Sequence, residues 1–181
     1  MTTTYAIHEH RHRYAAWAAS RAASTKTCRF TVLQGKNIIE AVGLHGLLSD
    51  PARLPEPAGM DSAHQRWRES AIKAAQGLDL RGFGHGTAAK LINVYFKGAF
   101  VCAGCEMHPK VGALHPPIDS LLLNELHTNN AGGQKEVWAK ARSRRWSKFS
   151  SDDYQSVIDA IRSTIPGQPL WQIEVYWRGW R

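Results

Sequence analysis

The chain has 181 residues, 43% of them hydrophobic, which is enough for one domain with a real core. No apolar run approaches the roughly 20 residues that cross a bilayer, the N-terminal stretch MTTTYAIHEHRHRYAAWAAS lacks an apolar core of signal-peptide type, and three cysteines, an odd number, argue against a disulfide framework. The net charge of +8, from 23 Lys and Arg against 15 Asp and Glu, suits a polyanionic partner, because each neutralised phosphate releases condensed counterions. The expectation is a cytoplasmic, monomeric protein with no membrane segment.

The predicted elements are helices throughout. Residues 11–23 are Ala-rich, with Tyr14, Trp17 and Arg21 at near-helical spacing, and residues 35–42 form a shorter amphipathic piece ended by Gly43. Pro51, Pro55 and Pro57 make residues 49–59 a connector. Asp61 or Ser62 can cap a helix running to Ala75, with Trp67, Ala71 and Ala74 on one face and Gly77 as its stop.

Residues 80–88, LRGFGHGTA, form a hairpin between two helices. Gly82 and Gly84 permit positive φ and close approach, and Phe83 between them can plug the turn into the core. Successive N–H groups in such a turn make an anion nest, reinforced by the dipole of the following helix. That contact grips a phosphate and does not read a base. A nucleotide-binding loop would need a preceding strand and a Walker lysine; ESAIKAAQGLDL is helical instead, and the lysine is missing.

Residues 87–100 are a strong helix with Ala88, Leu91, Ile92 and Tyr95 inward. Further on, Pro116 forces His115 to be extended, and Pro117 is pre-set for the first turn of a helix over 117–126. That places Asp119 in the first turn, near free N–H groups, where the helix dipole favours its ionised form. Residues 135–148, KEVWAKARSRRWSK, interleave cations with Trp138 and Trp146; this is either a nucleic-acid groove or a solvated helix face with two core tryptophans. Ser150 with Asp153 resembles a capping box and opens a helix to about Ile165. The aromatic tail PLWQIEVYWRGW is open between extended and helical.

Leu80, Gly82, Phe83, Gly84, Thr87 and Ala88 match the hairpin signature of the helix-hairpin-helix DNA glycosylase superfamily, with Arg81 in place of its proline. The chain resembles that superfamily over residues 61–126, about a third of its length. The resemblance implies an all-α helix-hairpin-helix glycosylase-like bundle, a single domain of one or two lobes over 1–181. It also implies that Gly82, Phe83, Gly84, His85, Gly86, Thr87 and Lys90 contact double-stranded DNA and that Asp119 is the catalytic carboxylate. Such a carboxylate would stabilise the oxocarbenium-like sugar of a flipped nucleotide and orient water, as carboxylates do in glycosidases.

Two departures shape the expectation. Members that also cleave the abasic strand carry a lysine where this chain has Gly86, so no amine stands there to form a Schiff base and a monofunctional enzyme is implied. The hairpin-to-Asp119 separation is also longer than in compact members, so residues 98–114 must loop out as an insertion. Cys102, Cys105 and His108, with His115 as a fourth ligand, could hold a structural zinc, although no cofactor is required. The other reading puts His115, with Trp67, in the pocket beside Asp119. Three cysteines cannot supply the four-cysteine iron–sulfur cluster of several relatives. A narrower resemblance, to compact bacterial members that remove hypermodified phage bases such as glucosylated hydroxymethylcytosine, stands beside damaged or alkylated bases as the substrate class. The alternatives to a glycosylase are a non-catalytic helix-hairpin-helix DNA-binding module and an RNA-binding or toxin-like protein using the basic, Trp-containing stretch.

Overall fold

A computed structural model describes residues 5–180, and among these the secondary structure is all-helical with no strand. The α-helices in chain order are α1 (Ile7–Ala23), α2 (Val32–Ala41), α3 (Met60–Gln76), α4 (His85–Ala99), α5 (Pro109–Gly112), α6 (Ser120–Thr128), α7 (Lys135–Arg144) and α8 (Ser151–Thr164). No helix of the described residues is long and apolar enough to cross a membrane.

Helix ends follow local hydrogen-bond chemistry. α2 starts at Val32, ahead of the expected Gly35, because Thr31 and Gln34 form a capping box: the Thr31 N–H donates to Gln34 Oε1 at 2.9 Å and the Gln34 N–H to Thr31 Oγ1 at 3.2 Å. The Ser150–Asp153 box opens α8 as expected. Neither Asp61 nor Ser62 caps α3; the N-cap position is Gly59, and the Asp61 carboxylate is used elsewhere. α6 begins at Ser120 and not at Pro117, so Asp119 is its N-cap with extended backbone. The insertion is anchored instead of looping free: α4 runs on to Ala99, and Val111 and Leu114 are buried in the core. The tail resolves as a 3₁₀ helix, Leu170–Tyr176.

Two apolar clusters build the molecule. In the first, the small face of α1 (Ala15, Ala16, Ala19) lets α4 approach closely, and Ile38, Ile39, Met60, Leu91 and Phe96 fill the space around them. In the second, α6, α7, α8 and the tail pack Leu122, Leu126, Trp138, Ile158, Ile161 and Ile173 together. Each fully buried aliphatic side chain of this kind contributes about 1.5–3 kcal/mol. Trp138, the first of the tryptophans in the basic stretch, is wholly buried and donates its indole N–H to the Ala131 carbonyl at 2.9 Å.

Between the clusters runs a polar seam whose hydrogen bonds one set of proton positions accounts for, with Arg68 Nε left buried without a partner. Arg68 donates to His64 Nδ1 (3.0 Å), and His64 Nε2–H donates to Asn93 Oδ1 (2.7 Å). Asn93 Nδ2 donates to the Tyr154 hydroxyl (2.9 Å) and the Pro116 carbonyl (2.8 Å). Tyr154 in turn donates to His115 Nδ1 (3.1 Å), and His115 Nε2–H to Asp61 Oδ1 (2.9 Å). Arg162 closes the chain on Asp61. Both histidines must be neutral for this order to hold, and burial lowers the pKa of each. The Arg68 guanidinium lies 4.4 Å from the centre of the Tyr154 ring, a cation–π contact in place of a carboxylate.

Candidate active site

Asp119 sits where α6 begins, and its carboxylate is held from several sides. Oδ1 accepts the Leu122 N–H at 2.9 Å, the expected cap contact. Oδ2 accepts from Lys90 Nζ at 3.0 Å and from the Trp177 indole N–H at 3.0 Å. The Asp119 side chain is 18% exposed, whereas that of Lys90 is 7% exposed. Burial works to raise the Asp119 carboxyl, but the Lys90 ammonium, the Leu122 amide and the indole outweigh it and hold the group below the usual carboxylate range. Burial lowers Lys90, with the Asp119 charge opposing. The site therefore presents an anion fixed in geometry, with a remaining edge toward solvent.

Lys90 is not placed to contact a phosphate as expected. One helical turn beyond Gly86, it lies on the same face of α4 and turns inward to Asp119, its Nζ 5.9 Å from the Trp146 ring centre. Gly86 has a packing role that the sequence did not announce. A Cβ there would fall 1.8 Å from the Trp146 carbonyl oxygen, so any side chain at 86 would collide with the chain after α7. Gly86 and the fully buried Thr87 are thus removed from direct DNA contact in this conformation.

The hairpin itself forms as expected. Gly82 takes φ +77 with the Thr27 carbonyl 3.1 Å from where a Cβ would be, and Phe83 is buried against Phe30 with ring centres 5.6 Å apart. Of the residues expected to touch DNA, Gly82 is exposed and Gly84 and His85 are half-buried, while Phe83 is an anchor. Gly82 and Gly84 line a cleft of about 640 Å³ together with Arg81, Ser147 and Lys148. It adjoins a second cleft of about 380 Å³ lined by Lys26, Ser120, Asn124, Arg142, Arg145 and Trp146. Ser120 and Trp146 bring this second cleft to the edge of the Asp119 centre.

Residues from the tail complete the centre and were missed in the sequence. Trp177 caps Asp119, Glu174 pairs with Lys97, and Lys97 Nζ lies 5.3 Å from the Trp177 ring centre. Burial pushes the Glu174 carboxyl up, against the pull of Lys97. Two neighbouring carboxylates thus have opposite shifts, Asp119 down and Glu174 up. The only signal for them in the sequence was the density of aromatic residues in a segment without helical or strand periodicity.

Other expected site residues lie elsewhere. His115 is sealed into the seam with Asp61 and Tyr154, away from Asp119. Trp67 packs on Phe96 and His64 at 5.3 and 6.2 Å between ring centres, as part of the first core. Neither lines a pocket beside Asp119, because both bury their rings against neighbouring helices. Cys102 is exposed, Cys105 half-buried, and His108 turns Nδ1 back to the Lys110 N–H at 3.3 Å. Among the described residues no group of three or more His, Cys, Asp or Glu side chains is arranged to hold a metal ion.

No protein-family model matches the chain, and no curated protein or solved structure is similar to it at a significant level.

Proposed function

We propose that this chain is a monofunctional DNA glycosylase of the helix-hairpin-helix kind, with Asp119 as the catalytic carboxylate. The observation that carries the reading is an ionised carboxylate, fixed by three donors, at the edge of basic clefts that begin at a glycine hairpin. A target nucleotide would be extruded from the duplex, with the hairpin and Lys148 on its backbone. As the C1′–N bond breaks, its electron pair leaves on the base and positive charge develops on the sugar, which Asp119 stabilises. Water held by the carboxylate adds to C1′ through its oxygen; one of its protons stays on the new hydroxyl and the other ends on the base. The product is a free base and an abasic sugar. Gly86 supports the monofunctional assignment twice over, since no amine is present there and no side chain fits.

The class of base follows only from resemblance: a modified or damaged base, with a hypermodified phage base such as glucosylated hydroxymethylcytosine as the narrower candidate. One observation favours a second reading, a DNA-binding module without catalysis. Oδ2 of Asp119 already has two donors and Oδ1 caps α6, which is a complete structural role.

The two readings separate on Asp119→Asn. Genomic DNAs carrying different modified bases are incubated with the protein, treated with alkali, and released bases are identified by mass spectrometry. The glycosylase reading expects release by the unaltered chain, a fall of about 10²–10³-fold in the variant, and unchanged DNA binding. Because Asp119→Asn strands the buried Lys90 charge, the paired variant Lys90→Met/Asp119→Asn is measured beside it. If the unaltered chain binds duplex DNA but releases no base from any DNA, the module reading stands.

A further inference from the structure

The loop between α1 and α2 is the centre of a longer groove. A third cleft, of about 540 Å³, is lined by Arg21, Lys26 and Arg29 with Ser24, Thr25 and Thr31 among its hydroxyls. It shares Thr25 and Lys26 with the cleft beside Asp119, which in turn shares Thr27 and Ser147 with the hairpin cleft. The three clefts therefore adjoin one another along Thr25–Lys26–Thr27, all of which line the middle cleft. Asp79 is the single carboxylate on the whole lining.

The cations of this groove have no ion-pair partner among the described residues, and Arg142 alone among them is held by neutral side chains, donating to Asn124 Oδ1 and His127 Nδ1. Among the described residues Arg13, Lys36, Lys90, Lys97, Lys110, Arg144 and Arg162 are the Lys and Arg side chains in ion pairs. Arg21, Lys26 and Arg29 have no acidic neighbour at ion-pair distance, nor do Arg81, Arg142, Arg145 and Lys148. The loop is rigid enough to present them: the Thr25 N–H donates to the Cys28 carbonyl and the Cys28 N–H to Thr25 Oγ1, both at 3.0 Å, and Phe30 donates to Ser24 Oγ at 3.2 Å. It is also coupled to the hairpin through the Gly82–Thr27 approach and the Phe30–Phe83 contact.

A second observation, independent of charge, points the same way. Trp17 and Tyr14 share a face of α1 with Arg21, are 50% and 60% exposed, and lie 6.0 Å apart between ring centres. An exposed aromatic pair continuing a basic groove is how proteins combine backbone tracking with base stacking.

We infer that the α1–α2 loop is a second DNA grip, distinct from the hairpin. Arg21, Lys26 and Arg29 hold the phosphodiester backbone of the strand leaving the reaction centre, and Trp17 stacks on an unpaired base at the groove's end. The inference rests on the reading of DNA as the polyanion, not on base release.

The test uses the full chain, a mixed-sequence DNA duplex, and the same duplex with a single-stranded extension, titrated across salt concentrations. Arg21→Glu/Arg29→Glu should weaken duplex binding about thirtyfold at about 0.15 M salt and lower the slope of log affinity against log salt by about two. A hydroxyl-radical footprint should shorten at one end only. Trp17→Ala should weaken binding of the extended duplex about fivefold or more and leave binding of heparin unchanged. Arg53→Glu/Arg66→Glu, an equal change of charge outside the clefts, serves as the control. The inference is overturned if the groove pair binds as the unaltered chain does, if the control pair loses as much, if Trp17→Ala has no effect on the extended duplex, or if single-stranded RNA is preferred to DNA. Absence of base release with these binding results intact would defeat the glycosylase reading alone.

Discussion

Two clusters of buried polar groups lie between the apolar cores, and they differ in what they leave open. The seam from Arg68 through His64, Asn93, Tyr154 and His115 is closed along these members, which are at most a few per cent exposed, and it reaches the surface only at Asp61 and Arg162. The Asp119 centre has fewer members, its carboxylate is 18% exposed, and the next residue, Ser120, lines a basic cleft. Shifted titration occurs in both, so a displaced pKa by itself does not distinguish a site from a structural joint. The charge of the adjoining surface does, since the Asp61 carboxylate at the end of the seam is more exposed, at 37%, than Asp119 at 18%.

The largest effect that would sharpen this contrast is the loss of base release in Asp119→Asn, about 10²–10³-fold, with folding kept in the paired Lys90→Met variant. The matching change in the seam is Asn93→Leu. It leaves the His64 N–H, the Tyr154 hydroxyl and the Pro116 carbonyl without their buried partner, which should cost about 2–4 kcal/mol. In a chain of this size the melting temperature should drop roughly 5–15 °C, while base release per folded molecule stays as before. An Asn93→Leu protein that melts normally but has lost activity would move the seam into the site and break the comparison.

Acid should also act on the two clusters in different ranges. Burial holds the folded pKa values of His64 and His115 below the ordinary imidazole value of about 6.5, so the unfolded chain binds protons that the folded one refuses. Their contribution to stability is complete above about pH 6.5 and is lost as pH falls below it. Asp119 has a folded pKa below the ordinary carboxylate value of about 3.9; its contribution is present above that value and lost only as pH falls further. Calorimetry between neutral and mildly acid pH should therefore show melting temperature falling first through the histidines. A flat profile down to the carboxylate range would mean that these histidines are not held neutral.

Much of the helical layout was legible because apolar periodicity and caps are local. The Ser150–Asp153 box, the Pro-rich connector, the hairpin turn and the inward face of α4 all depend on a few adjacent residues. Asp119 was legible as a carboxylate at a helix start, although the helix begins one residue after it and not at Pro117. What local pattern could not supply was contact across the chain. Lys90 turns inward because Asp119 waits there, 29 residues on. Gly86 is small because Trp146 crosses it, and Trp177 reaches Asp119 from an irregular tail. The basic loop at Lys26 and Arg29 carries no motif; it becomes a surface only when packing sets it beside α7. His115 and Trp67 were misplaced for the same reason, since a polar or aromatic side chain looks alike in a pocket and in a sealed joint.

The smallest expected effect is the most diagnostic of how the centre works. Lys90→Met replaces the buried ammonium with an apolar chain of similar length and leaves Asp119 its bonds from Leu122 and Trp177. Without the ammonium, burial acts with less opposition and the carboxyl rises. On the glycosylase reading Asp119 acts in its ionised form, so the fraction competent at low pH shrinks, and the acid limb of the base-release profile should move to higher pH. At neutral pH the carboxylate remains ionised and the rate should change only a fewfold. This pattern would make Lys90 a positioning residue. If the variant instead loses as much as Asp119→Asn across the whole pH range, the ammonium itself meets the substrate; borohydride trapping of the unaltered chain on DNA containing an abasic site would then give a covalent adduct. The monofunctional reading expects no adduct, because the nearest amine is held by the carboxylate and position 86 has no room for another.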